Sequence, residues 1–162
     1  MKLRAQPLTS DAFAPYGTVL QAPTTEGRRI NGGTTERFDL VDDLQLGAID
    51  GRAQLALFRA QARRFPHAVT AMERHVLGSQ SFVPIGAARR FVIVVAPAGD
   101  APSAATLAAF VTDGQQGVTL APGTWHHALL AVNAGDFVVV ERAAAMVDCD
   151  VCALPDAVSV DY

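Results

Sequence analysis

The amino-acid sequence predicts an all-β fold, either a sandwich or a barrel, for three reasons. Six short runs rich in Val, Leu and Phe are bounded by Gly, Pro, Asn or Asp, as strands usually are. Apart from two short segments, the chain shows no helical periodicity. Many short strands joined by Gly- and Pro-containing turns are typical of sandwiches and barrels. A chain of 162 residues suits one domain, and we expect residues 1–162 to form it.

The predicted elements are short and follow one another closely. A first helix is capped by Thr9 and ends before Pro15, and a second starts at Ser103 and continues to Phe110. Residues 24–35 are the longest stretch without a strand or helix pattern, which suits a loop over a site or a surface excursion. The predicted strands are Ala53–Arg59, Ser81–Ile85, Phe91–Ala96, Gly117–Leu120, His127–Val132 and Phe137–Glu141.

Charge and composition argue against two classes of partner. The formal net charge is −3, whereas a nucleic-acid-binding protein normally carries a basic patch. No run approaches the ~20 apolar residues of a membrane-spanning helix, and the first residues lack the apolar segment of a signal peptide. We therefore expect a cytoplasmic protein with no nucleic-acid or membrane partner. Cys149 and Cys152 have no second CxxC and no βαβ context, so we interpret them as reduced structural thiols.

The densest polar segment runs from Glu73 to Pro84, inside otherwise apolar β sequence. In an extended chain Glu73 and His75 point to one face and Arg74 to the other, and Gln80 follows after a turn at Gly78. A carboxylate beside an imidazole can act as a general acid/base pair or can hold a metal. An ion pair at a barrel rim is the structural alternative. We favour a functional role because so polar a segment is unusual in an apolar β chain.

A second candidate segment holds the only tryptophan and two of the four histidines. After a Pro-Gly turn, a strand places Trp125 and His127 on one face and His126 on the other. Only one histidine of the pair can therefore face a barrel interior. A core tryptophan with a histidine at a strand end explains the spacing equally well, so the choice between His126 and His127 stays open.

Arg59 is the third candidate, because it ends an apolar strand in register with Leu55 and Leu57. If this stripe faces the interior, the charge needs a partner carboxylate from the protein or from a ligand. An arginine turned to solvent at the strand end is the alternative.

Long segments of the chain resemble the ureidoglycolate lyase family. The block ERHVLGSQSFVP (residues 73–84) resembles the family signature ERHPLGSQAFIP, and PGTWHHALLA (residues 122–131) resembles its G-x-WHHPL segment. Residues 1–20 look like the family's opening, INGGTTERFDL (residues 30–40) resembles INNGTTERFHDL, and Asp148-Cys149-Asp150 resembles a terminal NCD. The resemblance therefore covers nearly the whole chain.

This resemblance implies a cupin-like double-stranded β-helix barrel with a few short helices, usually a homodimer. It implies a lyase that cleaves (S)-ureidoglycolate into glyoxylate and urea in allantoin and purine-nitrogen breakdown. It also implies Ni²⁺ or another divalent metal, with Glu73 and His75 as the ligands if a metal is bound. Without a metal, no cofactor is expected.

The resemblance also implies a set of site residues, matched position by position. Departures at Asp39 and Ala121 argue against a metal site of many histidines, and neither touches Glu73 or His75. Other departures are Gly32, Ala128 and Ala143-Ala144. The catalytic candidates are Glu73, His75, His126 and His127; the substrate-binding candidates are Arg59, Arg74, Gln80, Asn31 and Trp125; Glu36 and Arg37 also match.

Ureidoglycolate carries a hydroxyl, a carboxylate and a urea nitrogen on one carbon. Its cleavage needs a base for the hydroxyl proton, an acid for the leaving nitrogen and a cation for the carboxylate. Glu73, His75 and one of the paired histidines suit the proton transfers, and Arg59 or Arg74 suits the carboxylate. Two other classes fit the same residues: a metal-dependent cupin enzyme of other activity, and a non-catalytic cupin that binds a small carboxylate.

Overall fold

A computed structural model describes residues 1–162 and consists almost entirely of β-strands. The one α-helix, α1, is Ser10–Phe13, and the Thr9 side chain caps it by accepting the Ala12 N–H at 3.3 Å. Two 3₁₀ turns are Asn31–Gly33 and Ala104–Thr106. No helix has the length and apolar character needed to cross a membrane. The strands are β1 (Lys2–Arg4), β2 (Gln6–Pro7), β3 (Gly17–Leu20), β4 (Arg28–Ile30), β5 (Thr35–Arg37), β6 (Arg52–Ala60), β7 (His67–Arg74), β8 (Gln80–Ile85), β9 (Phe91–Ala96), β10 (Ala108–Val111), β11 (Gly117–Leu120), β12 (Trp125–His126), β13 (Leu130–Ala131), β14 (Gly135–Ala143) and β15 (Asp150–Asp161).

Two large sheets and one hairpin contain these strands. The first sheet has the order β1-β15-β7-β12-β9-β10-β2, and β13 also pairs with β9. The second sheet has the order β3-β11-β8-β14-β6, so β6 is one of its edge strands. Strands β4 and β5 form a separate hairpin. The two large sheets make the barrel-like, cupin-like architecture that the sequence resemblance implies.

Alternate residues of β9 enter two separate cores. Phe91, Ile93 and Val95 join a core of 13 buried residues that includes Phe82 and Val139 of the second sheet. The other three residues of β9 join a second core of 13 buried residues on the opposite face of the first sheet. Because both faces of β9 are covered, its sequence is a continuous apolar run without polar alternation.

The predicted elements coincide with α1, β6, β8, β9, β11 and β14 apart from small differences at their ends, and two other predicted segments are wrong. The predicted helix over residues 103–110 is wrong, because Ser103 caps only a short 3₁₀ turn and β10 begins at Ala108. Pairing of β10 with β9 buries Phe110, and this tertiary contact overrides the local helix signal. The predicted strand over residues 127–132 is also wrong in extent, because β12 ends at His126 and the next strand, β13, covers only Leu130–Ala131.

Candidate active site

Glu73 and His126 lie opposite each other on the paired strands β7 and β12. Their neighbours Met72 and Trp125 belong to the core on the far face of the first sheet. Strand alternation therefore turns Glu73 and His126 toward the space between the two sheets. Nε2 of His126 lies 3.6 Å from Oε1 of Glu73.

His75 follows the end of β7 and joins this pair. Its ring centroid lies 5.3 Å from that of His126, and one ligand atom from each of the three residues lies within 4.8 Å of the others. We refer to these residues as the Glu73–His75–His126 cluster. His127 is not part of it, because its ring packs against His67 with a centroid distance of 5.5 Å. Of the two adjacent histidines, the structure brings only His126 to Glu73.

Both imidazoles of the cluster adopt the same tautomer. Nδ1 of His75 contacts the main-chain oxygen of Asp148, and Nδ1 of His126 contacts the main-chain oxygen of Thr124 at 3.0 Å. A carbonyl oxygen only accepts, so each Nδ1 carries the proton and each Nε2 presents a lone pair. Both Nε2 atoms are buried and receive no hydrogen bond from the protein.

Burial keeps His126 uncharged at neutral pH. Its side chain is 2% exposed, and desolvation lowers the pKa of His126 to about 4, although the bond to Thr124 opposes this shift. The nearby imidazoles of His75 and His127 lower the pKa of His126 further. The contact between His126 and Glu73 is therefore not an ion pair. The cluster presents two imidazole lone pairs and one carboxylate, all of them acceptors.

This set of acceptors fits a divalent cation. Imidazole nitrogens and carboxylate oxygens are ligands for Ni²⁺, Zn²⁺ and related ions, and a ligating imidazole commonly donates its other N–H to a carbonyl. A single proton shared between two of the three acceptors leaves the third unpaired, whereas a metal ion satisfies all three. The cluster therefore has the residues that a divalent metal requires.

A cavity of about 270 Å³ opens beside His75. The carboxylate of Glu141 lines it, and Oε2 of Glu141 accepts a hydrogen bond from Nε2 of Gln80 at 2.8 Å. The side-chain oxygen of Gln80, Oε1, is buried and accepts no hydrogen bond. Gln54 and Cys149 also line the cavity, and both cysteines of the chain are free thiols.

Sequence reasoning missed Glu141 as a site residue. The sequence did contain an indication of this role. Glu141 ends the predicted strand Phe137–Glu141 and lies on the same face as the buried Phe137 and Val139. A carboxylate on the inward face of an apolar strand is as informative as the polar block around His75. Asp148 was missed for a different reason, since its contacts depend on a loop that sequence periodicity does not describe.

Arg59 lies away from the cluster, on the edge strand β6. Its side chain is 79% exposed and forms a two-pronged ion pair with Asp136 at 2.9 and 3.0 Å. Leu55 and Leu57, on the same face of β6, are 72% and 55% exposed. The expectation that this stripe faces the barrel interior is therefore wrong. It faces outward because Ala56 and Ala60, on the other face of β6, pack against the core that contains Phe137 and Val139.

Arg74 and Trp125 stack on each other on the opposite face of the first sheet. The Arg74 guanidinium lies 4.5 Å from the Trp125 ring centroid, and it donates to Asp150 at 2.9 Å and to the Gly99 carbonyl at 2.7 Å. Trp125 is 4% exposed and donates to the Asp100 carbonyl at 3.0 Å. Neither side chain lines the cavity beside His75.

Asn31 stands on the 3₁₀ turn between β4 and β5. It is exposed, its φ of 52° lies in the left-handed region, and its side-chain amide donates to the Thr35 hydroxyl at 3.4 Å. In the following strand, Arg37 pairs with Asp39 at 2.7 Å and Glu36 is exposed. These residues do not line the cavity beside His75.

Comparison with known proteins agrees with the sequence resemblance. A family model described as ureidoglycolate lyase matches residues 1–161. The ureidoglycolate lyase of Burkholderia cepacia is 46% identical over 162 residues, which cover 99% of this chain and 90% of the relative. The ureidoglycolate lyase of Pseudomonas syringae pv. syringae is 42% identical, over 92% of this chain and 88% of the relative. That of Burkholderia mallei is 47% identical, over 86% of this chain and 82% of the relative. The chain therefore belongs to the ureidoglycolate lyase family.

Proposed function

We propose that this chain cleaves (S)-ureidoglycolate into glyoxylate and urea, as one catalytic domain over residues 1–162. Family membership supports the reaction, and the single observation that carries the site is the Glu73–His75–His126 cluster beside its cavity. The pathway that this reaction serves is allantoin and purine-nitrogen breakdown.

The reaction breaks one carbon–nitrogen bond and makes one carbonyl. The substrate hydroxyl loses its proton, its oxygen forms the aldehyde C=O of glyoxylate, and the electron pair of the broken bond goes to the urea nitrogen. That nitrogen takes up a proton and leaves as urea. Atoms and charge balance without an added oxidant or water, so the site needs only groups that bind the anion and move a proton.

We infer that Glu73, His75 and His126 hold a divalent cation, Ni²⁺ or a related ion. Bound there, such an ion supplies positive charge to the substrate oxygens and acts as a Lewis acid. The need for positive charge is clear from the site itself. The substrate is an anion, and both Glu73 and Glu141 bring carboxylates to the same region.

Two carboxylates outside the cluster line the cavity, those of Glu141 and Asp148. Both oxygens of Asp148 accept main-chain N–H groups, so we assign the proton transfer to Glu141. The hydrogen bond from Gln80 fixes one of its oxygens and leaves the other for the substrate hydroxyl. The buried oxygen of Gln80 is an acceptor that suits an N–H of the urea group. In the alternative mechanism, Glu73 and His75 transfer the protons themselves and no metal is bound.

The deciding experiment is detection of both products from (S)-ureidoglycolate. Purified protein should release urea and glyoxylate in equal amounts, faster than the spontaneous decay of the substrate. Treatment with a chelator should remove this activity, and Ni²⁺ should restore it. A chain that binds glyoxylate without turnover would be a non-catalytic cupin, whereas a metal-loaded chain that turns over a different substrate would be another cupin enzyme.

We propose that a second copy of the chain covers the outer face of β6. Leu55 and Leu57 are exposed there, and the edge strand leaves one row of main-chain hydrogen-bonding groups unpaired. Ile85, on the same face of the second sheet, is 40% exposed. Light scattering should give the mass of a dimer, and Leu57→Lys should give a monomer; a monomeric wild-type protein would contradict the proposal.

We also propose that the protein works in the cytoplasm, without a nucleic-acid or membrane partner. Two free cysteines suit a reducing compartment, and a net charge of −3 disfavours binding to polyanions. Fractionation of cells that express the chain is the direct test of this location.

A further inference from the structure

Asp148 makes three contacts with the segment that carries His75. Its carboxylate accepts the main-chain N–H of Val76 at 2.9 Å through Oδ1 and that of Leu77 at 2.7 Å through Oδ2. Its main-chain oxygen accepts the Nδ1–H of His75. One residue therefore holds both the imidazole and the two peptide groups that follow it.

Asp148 differs from the proton-transfer groups because both of its carboxylate oxygens are occupied by hydrogen bonds. Each oxygen is occupied by a main-chain donor, so the side chain is committed to holding the chain in place. The carboxylate fixes where residue 148 sits relative to residues 76 and 77. Through that placement it also fixes where the main-chain oxygen of Asp148 meets the His75 ring.

The position of this oxygen determines which nitrogen of His75 is free. Because the oxygen binds Nδ1–H, the proton is on Nδ1 and the lone pair is on the buried, unpartnered Nε2. Nε2 is therefore the nitrogen that His75 can offer to Glu73 and His126. If the oxygen moved away, the ring could rotate or carry its proton on Nε2. The lone pair would then no longer belong to the cluster.

We propose that Asp148 is a positioning residue, which clamps the turn after His75 and thereby fixes the His75 tautomer that presents Nε2 to the cluster. This inference rests on the proposed role of the Glu73–His75–His126 cluster. It assigns Asp148 no contact with the substrate. Its effect acts entirely through the orientation of His75.

The first test is the tautomer of His75 in metal-free protein, measured by long-range ¹⁵N–¹H NMR. The two tautomers of a neutral imidazole place the N–H on different ring nitrogens, so the spectrum distinguishes them directly. Comparison with His75→Asn assigns the signal. Wild-type His75 should carry its proton on Nδ1, and Asp148→Ala should shift the population toward Nε2–H. A wild-type ring protonated on Nε2 would overturn the proposal, even if no variant folds.

The second test is the affinity of the metal-free protein for Ni²⁺, measured by calorimetry. Loss of a residue that orients a ligand typically weakens metal binding by about 10–100-fold, and we expect this for Asp148→Ala. Asp148→Asn keeps one oxygen acceptor and should lose less. An affinity within about threefold of wild type in Asp148→Ala, with an unchanged tautomer, would show that Asp148 is merely structural.

Asp113→Ala is the matched control. Asp113 also accepts two main-chain N–H groups, those of Gln115 at 2.8 Å and Gln116 at 3.0 Å, but it does not contact the cluster. The Asp113→Ala substitution should lower the thermal unfolding midpoint of the protein without changing the His75 tautomer or the Ni²⁺ affinity. Because neither readout uses turnover, a protein inactive on ureidoglycolate would count against the proposed function and leave the result on Asp148 standing.

Discussion

Glu73 and His126 approach each other to 3.6 Å without forming an ion pair. The distance is too long for a hydrogen bond, and burial keeps the imidazole neutral at neutral pH. A carboxylate and a lone pair that face each other attract only if a cation lies between them. This relationship leads to the first prediction, on the third residue of the cluster.

We expect His75→Asn to lower turnover of ureidoglycolate by at least ~10²-fold while the protein stays folded. The variant should also lose bound Ni²⁺, because Asn offers no imidazole nitrogen to the cluster. Urea release and elemental analysis of the same sample measure both effects. His67→Asn, a histidine outside the cluster, is the control. Retained metal with lost turnover would instead support proton transfer by His75, and near-normal turnover would rule out both roles.

The two adjacent histidines should respond differently to the same substitution. His126→Asn removes a buried cluster nitrogen and should abolish both Ni²⁺ binding and activity. His127→Asn removes a ring that packs against His67, so activity should stay close to wild type. Kinetic constants and metal content of the two variants, measured side by side, provide the comparison. Equal losses would show that the cluster is not the reactive centre.

Glu141→Gln separates proton transfer from metal binding. The new amide keeps an oxygen for the hydrogen bond from Gln80 but cannot take up the substrate proton. We expect kcat to fall by ~10²–10⁴-fold with Ni²⁺ affinity nearly unchanged. Glu26→Gln, an exposed carboxylate elsewhere on the chain, is the control. If kcat survives in Glu141→Gln, another group is the base.

Arg59→Lys should leave the KM for ureidoglycolate near its wild-type value. The guanidinium lies in solvent and pairs with Asp136, outside the cavity that contains Glu141 and His75. A change in KM with unchanged folding would mean that Arg59 reaches the substrate after all. Steady-state kinetics of Arg59→Lys and wild type decide the point.

Protonation of His67 should contribute to the pH dependence of stability. Burial, then the charges of His127 and Arg63, lower the pKa of His67 in the folded protein below its ordinary value of about 6.5. Between these two values the unfolded chain binds more protons, so the free energy of unfolding falls as pH falls through this window. Urea unfolding from about pH 7 to about pH 5.5 should therefore show a steeper loss for wild type than for His67→Gln. Equal slopes would contradict the shift.

Sequence alternation predicted the part of the site that lies on regular strand. Glu73 and Arg74 face opposite sides, as a period of two requires, and Trp125 and His126 do the same. Alternation could not choose between the two faces of β6, because each face mixes apolar and polar residues: Leu55 and Leu57 lie with Arg59, and Phe58 lies with Gln54. The sequence therefore allowed both an inward and a solvent-facing Arg59, and the structure turns it to solvent.

The remainder of the site depends on contacts between segments far apart in the chain. Asp148 meets His75 through a loop, and Gln80 meets Glu141 across the paired strands β8 and β14. Strand β15 was also missing from the prediction. Its Pro155 and Asp156 are poor strand residues, and they fall at the register shift where pairing with β7 is interrupted.

The pairing of β1 with β15 joins two strands that are far apart in the sequence, with Lys2 beside Ser159. During synthesis on the ribosome, β1 therefore cannot pair with β15 until the strands between them have been made. Closing the long loop between such distant segments costs conformational entropy before the contacts between them stabilise the fold. Proteins dominated by such contacts therefore fold in about milliseconds to seconds. The edge of the first sheet should consequently be the last part of the barrel to close, and the segment most exposed to chaperones until it does.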